Sequence, residues 1–185
     1  MFGGEPKATA CFRKIDMPRN RKPKLSHLSP GGSPRMVNVG AKPVTRRTAV
    51  AEAVVTVGRS IAARLRRDGG LAKGNVLETA RLAGIMAAKH TSTLIPMCHP
   101  IPLDGIEIAS ALDGPRVLLR ATVSAEAKTG VEMEAMTAAA VAALTVYDMV
   151  KSAGKGVEIG PVRLLSKEGG KSGRWVRPEG ADGAR

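Results

Sequence analysis

The sequence predicts an α+β sandwich, an antiparallel sheet with helices packed on one face. Three observations lead there. Residues 129–151, TGVEMEAMTAAAVAALTVYDMVK, repeat Val131, Ala135, Ala138, Ala142, Thr145 and Met149 at helical spacing, with no Gly or Pro after Gly130. Residues 106–112 and 116–125 are strand-like and joined by Asp113-Gly114, a hairpin signal. Half-polar strand segments also open and close this region, which suits a sheet covered on one side only.

Taken in order, residues 48–57 (TAVAEAVVTV) alternate as a strand should. Ser60 caps a short helix, IAARLRR, which Asp68-Gly69-Gly70 stops. A second helix begins after Asn75, whose pairing with Glu78 predicts a capping box, and it runs out near Lys89-His90. A loop stiffened by Pro96, Pro100 and Pro102 then carries Cys98 and His99. After the hairpin comes a helix expected over 131–152, about five or six turns, with Gly154 as its C-terminal glycine. Residues 157–167 make the last strand, with Gly160-Pro161 predicting a bulge or an edge. The order is β-α-α-β-β-α-β. Merging the two short helices gives βαββαβ, the split arrangement of ferredoxin-like folds.

The chain's 185 residues suit one domain with tails: a basic arm over 1–35 expected to be disordered, a folded domain over 36–174, and a flexible tail over 175–185. Its 43% hydrophobic content can build a core, and 2% aromatics makes that core one of small aliphatic side chains. The net charge of +13 is uneven. Residues 1–47 hold eleven Lys/Arg against Glu5 and Asp16, a balance of +9, which leaves +4 for the remainder. A basic arm can bind nucleic acid through counterion release, but it lacks aromatic interleaving, so a solvated tail is the preferred reading and no nucleic-acid partner is expected. Two cysteines, Cys11 and Cys98, fit a reducing compartment, and no apolar run reaches the roughly 18 residues of a membrane span. A cytoplasmic protein is the expectation.

Charge on the long helix is confined to its ends. Glu132 and Glu134 suit the positive end of the helix dipole, and Asp148 and Lys151 have the i,i+3 spacing of a surface ion pair. Both ends together, across an uncharged middle, point to contact with a ligand or a partner. Cys98-His99 lacks a second Cys/His cluster, so no zinc site is expected. Residues 169–173, GGKSG, read as a flexible basic loop without the spacing of a phosphate-binding motif.

Three blocks in order, KGNVLETARLAGIMAAKHTSTLIPMCHPIPL, then TGVEMEAMTAAAVAALTVYDMVK, then GPVRLLSKEGGKSG, resemble the molybdenum-cofactor biosynthesis protein C family, the cyclic pyranopterin monophosphate synthases. The resemblance covers about residues 36–174. It implies a ferredoxin-like subunit in a homohexamer, a trimer of dimers with interfacial active sites. It also implies a lyase that converts 3′,8-cyclo-7,8-dihydroguanosine 5′-triphosphate, a cyclised GTP derivative, into cyclic pyranopterin monophosphate and pyrophosphate, with no cofactor.

Carried over by position, Lys73, Asp148 and Lys151 match the family's catalytic residues. Met97, Cys98, His99, Met133 and Glu134 match its substrate-contacting segments, with Glu132 beside them, and Arg47 and Lys167 match cations for the triphosphate. The residue types fit the chemistry. Rebuilding a purine into a pterin moves protons, and expelling pyrophosphate needs cations. Three departures stand out: Asn38 and Asn75 replace the family's usual Asp, and Val150 replaces a frequent Cys. A binding protein that keeps the fold without the chemistry is the competing reading. Its mark would be steeply salt-dependent nucleic-acid binding lost with residues 1–35.

Overall fold

The computed structural model describes residues 32–68, 70–71 (backbone only) and 74–178. Lys73 and nearly all of the predicted N-terminal arm lie outside the described residues. The first strand, β1 (Thr45–Thr56), lies at the centre of a five-stranded antiparallel sheet. Beside it run the hairpin strands β4 (Gly105–Asp113) and β5 (Arg116–Ala127) on one side, and β6 (Glu158–Glu168) and β7 (Trp175–Val176) on the other. The order β4-β5-β1-β6 is that of a ferredoxin-like sandwich, and β7 adds two residues at the far edge. β7 occupies the start of the stretch expected to be a tail. A two-residue ribbon, β2 (Gly70–Leu71) with β3 (Gly74–Asn75), leads into α2 (Val76–Lys89).

Alternation along β1 and β5 explains the layering. Ala49, Ala51, Ala53 and Val55, with Val117, Leu119, Ala121, Val123 and Ala125, are all buried beneath the helices. Their neighbours Val50, Glu52, Leu118 and Thr122 point to the opposite, half-covered face. On the helix side, α4 (Glu132–Val150) packs on β1, β5 and β6 and along α2. Its buried set is wider than the predicted stripe, because Ala139, Ala143, Val146 and Val150 join Ala135, Ala138, Ala142 and Met149. A helix wedged between a sheet and a second helix needs two apolar faces, and alanine lets both neighbours come close. Gly84 in α2 serves the same approach, since a Cβ there would stand 3.1 Å from the Ala138 carbonyl and 3.3 Å from Ile108. Mid-helix glycine costs about 1 kcal/mol of helix propensity, which this packing offsets. Among the described residues α4 is the one helix long and apolar enough by composition to cross a membrane. Half of that stretch is buried inside the fold, as befits a core helix.

Local signals held with instructive exceptions. Asn75 Oδ1 accepts from Glu78 N at 3.1 Å, so half of the capping box forms, while the Glu78 carboxylate turns to Arg81 at 2.8 Å. The short helix α1 (Arg59–Asp68) appears, but it begins two residues before Ile61 and takes the expected cap Ser60 into its first turn; a single turn, α3 (Thr91–Leu94), follows α2. Gly154 does not act as the left-handed cap. α4 ends by Lys151 N donating to the Tyr147 carbonyl, and positive φ falls at Gly156. Gly154 instead makes room for α1, since a Cβ there would stand 3.2 Å from Ile61 Cδ1. Strand β6 carries the expected bulge near Gly160-Pro161 and a second irregularity near Leu165, where its register to β1 shifts.

Candidate active site

The N-terminal end of α4 meets the proline-stiffened loop and the ends of β1 and β6, and two adjoining cavities form there. One, about 260 Å³, is lined by Met97, Cys98, His99, Ile101, Met133 and Glu134. The other, about 330 Å³, is lined by five cations, Lys42, Arg47, Lys128, Lys167 and Lys171, together with Thr48, Glu168, Gly169 and Ser172. Thr129, Gly130 and Glu132 belong to both, so the two are one groove with a carboxylate-bearing half and a cationic half.

In the first half Glu134 is 4% exposed, and burial pushes its carboxyl above the ordinary value. Its own backbone N–H works against that shift, and the nearby charge of Glu132 adds to it. Such a group can hold or release a proton closer to neutrality than a surface glutamate. Burial, then the Glu134 charge, likewise raises the Cys98 thiol, which disfavours thiolate. His99 Nε2 lies 2.8 Å from the Val37 carbonyl. The N-cap of α4 is Val131, which offers no side-chain oxygen to the first-turn N–H groups.

In the cationic half, Arg47 Nε donates to the Ala127 carbonyl at 3.4 Å, and Lys128 Nζ donates to the Gly40 carbonyl at 2.7 Å. Glycines make the close approaches possible. A Cβ on Gly170 (φ +69°) would stand 1.8 Å from an Arg47 guanidinium nitrogen, and one on Gly169 (φ +105°) would stand 2.2 Å from the Arg46 carbonyl. The loop read as flexible and basic is therefore a wall of the cationic cavity, and it acts without opening a helix. Between the halves, Glu132 reaches Lys167 Nζ at 2.9 Å by folding over Gly130, where a Cβ would meet its carboxylate at 1.8 Å.

The expected residues thus divide. Met97, Cys98, His99, Glu132, Met133, Glu134, Arg47 and Lys167 come together in one groove. Asp148 and Lys151 do not. They form an ion pair at 2.6 Å with side chains more than half exposed, and the Asp148 carboxylate raises the Lys151 ammonium, first by its hydrogen bond and then by its charge. Sixteen residues of α4 separate Glu132 from Asp148, about 24 Å along the axis. Sequence reasoning missed Lys42, Lys128 and Lys171. Basic type and neighbouring glycines were their only signals, and both are common on surfaces.

Fold and groove together define a ferredoxin-like α+β chain with a cation-lined cavity beside a small, partly apolar pocket that holds a buried carboxyl group. A model of the MoaC family matches residues 36–170, and the chain belongs to that family. A relative named cyclic pyranopterin monophosphate synthase from Staphylococcus aureus (strain JH9) is 49% identical over 161 residues, covering 84% of this chain and 98% of its own length. One of the same name from Staphylococcus carnosus (strain TM300) is 51% identical over 156 residues, covering 83% and 96%.

Proposed function

We propose that this chain is a cyclic pyranopterin monophosphate synthase of molybdenum-cofactor biosynthesis, a lyase acting on 3′,8-cyclo-7,8-dihydroguanosine 5′-triphosphate. The observation that carries the reading is the division of one groove into a cationic half and a half with a buried carboxyl group and a histidine, in a chain of this family. The guanine-derived rings seat beside Glu134, His99 and Cys98, and the triphosphate lies among Arg47, Lys167, Lys42, Lys128 and Lys171. A sugar oxygen attacks the α-phosphorus, and the bond to the β-phosphate oxygen breaks. Pyrophosphate leaves with its negative charge in the cationic cradle, where fixed cations stabilise charge as it develops. Glu134, with its raised carboxyl, exchanges protons with ring nitrogens during rearrangement.

Asp148 and Lys151 complete the site from a second copy. About 24 Å of helix keeps Asp148 from the groove of its own subunit, and this supports a site shared across an interface within a homohexamer. Lys151, whose ammonium is raised by Asp148, acts as a cation or acid, and the base role falls to Lys73. The enzyme works in the cytoplasm and needs no cofactor of its own. The test is turnover of the cyclised GTP derivative by the full chain, followed by pyrophosphate release and pterin fluorescence. Both products are expected, and tight binding with neither product would overturn the reading in favour of a binding protein.

A further inference from the structure

Residues 36–42 belong to no helix and to no strand of the sheet, yet they hold two side chains of the groove. The Val37 carbonyl accepts a hydrogen bond from His99 Nε2 at 2.8 Å, and the Gly40 carbonyl accepts one from Lys128 Nζ at 2.7 Å. His99 lines the carboxylate half and Lys128 the cationic half, and Lys42 at the end of the segment lines the cationic half itself. One short stretch of backbone therefore ties both halves together.

The segment has its own internal fold. Asn38 Oδ1 accepts from Gly40 N at 2.8 Å, an Asx turn, and Lys42 N donates to the Val39 carbonyl at 3.0 Å, a β-turn immediately after it. These two bonds set where the Val37 and Gly40 carbonyls point. A carbonyl can only accept, so the His99 nitrogen facing Val37 must carry hydrogen. In the neutral ring Nε2 is then the nitrogen that carries hydrogen, and Nδ1 keeps its lone pair.

We infer that residues 36–42 are a positioning strap: Val37 selects the Nε2–H tautomer of His99, and Asn38 holds Val37 in place. The strap leaves ring binding to the cavity walls and governs how His99 is presented, so its loss lowers kcat more than it raises KM. What His99 then does to substrate rests on the proposed function. Which nitrogen carries the proton does not.

The experiment is ¹⁵N NMR of histidine ring nitrogens in the full chain, with His27→Gln and His90→Gln used to assign His99, alongside steady-state turnover. Wild type and Asn38→Asp, which keeps the side-chain acceptor, are expected to show His99 as Nε2–H alone. Asn38→Ala is expected to show both tautomers, with kcat down about tenfold and KM changed by about twofold or less. A wild-type His99 protonated on Nδ1 would overturn the strap without recourse to any variant. So would an Asn38→Ala chain that keeps a single Nε2–H tautomer, or one that loses it at unchanged kcat. If wild type shows no turnover the kcat criterion does not apply, and the predicted tautomer pattern would then uphold the control of His99 by Val37 and Asn38 and remove the synthase reading.

Discussion

The two ends of α4 carry similar side chains and lie in different surroundings. At the N-terminal end, Glu134 is buried, Glu132 is paired with Lys167, and a stiff loop and a glycine-lined wall close around both. At the other end, Asp148 and Lys151 have each other, and more than half of each side chain faces solvent. A carboxylate gains chemistry from burial and from neighbours held in place, so a single chain provides a prepared pocket at one end and an unenclosed ion pair at the other. In the proposed function a second copy of the chain encloses the C-terminal pair.

The sharpest way to break this comparison is to damage the ends separately. Asp148→Ala and Glu134→Ala should each lower turnover by about 10²–10⁴-fold. Mixed assemblies of the two variants should regain at least about tenfold over either alone, because an intact site can form from one good end of each subunit. Failure to recover, with assembly intact by light scattering, would place both ends in separate roles and sink the shared site.

A smaller effect is expected at the cradle. Gly170→Ala forces a side chain into the left-handed region and into the Arg47 guanidinium, costing about 1–2 kcal/mol in denaturant unfolding. The displaced cation should raise KM for the triphosphate substrate about tenfold. An unchanged KM would show that Arg47 does not meet phosphate.

The Glu134 carboxyl titrates higher folded than unfolded, so its contribution is fully present below the ordinary carboxylate range and is lost as pH rises through the folded value. Thermal unfolding of Glu134→Gln, which cannot ionise, should therefore gain on wild type as pH increases across that window. A parallel pair of Tm-against-pH curves would mean that Glu134 feels no such penalty. Least of all, Glu132→Gln should cost about 0.5 kcal/mol or less, since the Lys167 pair is about one-third exposed and screened. A cost well above that would mark the pair as structural.

Much of the fold was legible because its signals are local. Helical spacing from Val131 onward, the Asp113-Gly114 turn and the Asn75 cap each depend on a few neighbouring residues, and each appears in the structure. Gly154 misled because a glycine after a helix can serve either a left-handed turn or a close contact. Only the position of Ile61 shows that contact is its role. Asn38 and Asn75 look like losses of charge in the sequence. In the structure each offers Oδ1 to a backbone N–H, a bond that Asp would make equally well. The site was legible through family blocks rather than through spacing, and Lys42, Lys128 and Lys171 escaped notice because surface lysines are common.

By itself the sequence determined the order of the seven main elements, the small-residue core and the family, since periodicity, turn chemistry and long motif blocks are written along the chain; the ribbon β2–β3, the single turn α3 and the edge strand β7 were not foreseen. The tertiary structure alone decided which charges share a groove. Arg47, Glu132 and Lys167 are far apart in sequence, and the register of β6 on β1 with the entry of α4 brings them together. It also decided that the N-terminal end of α4 enters that groove while Asp148, about 24 Å further along the helix axis, lines neither cavity of it.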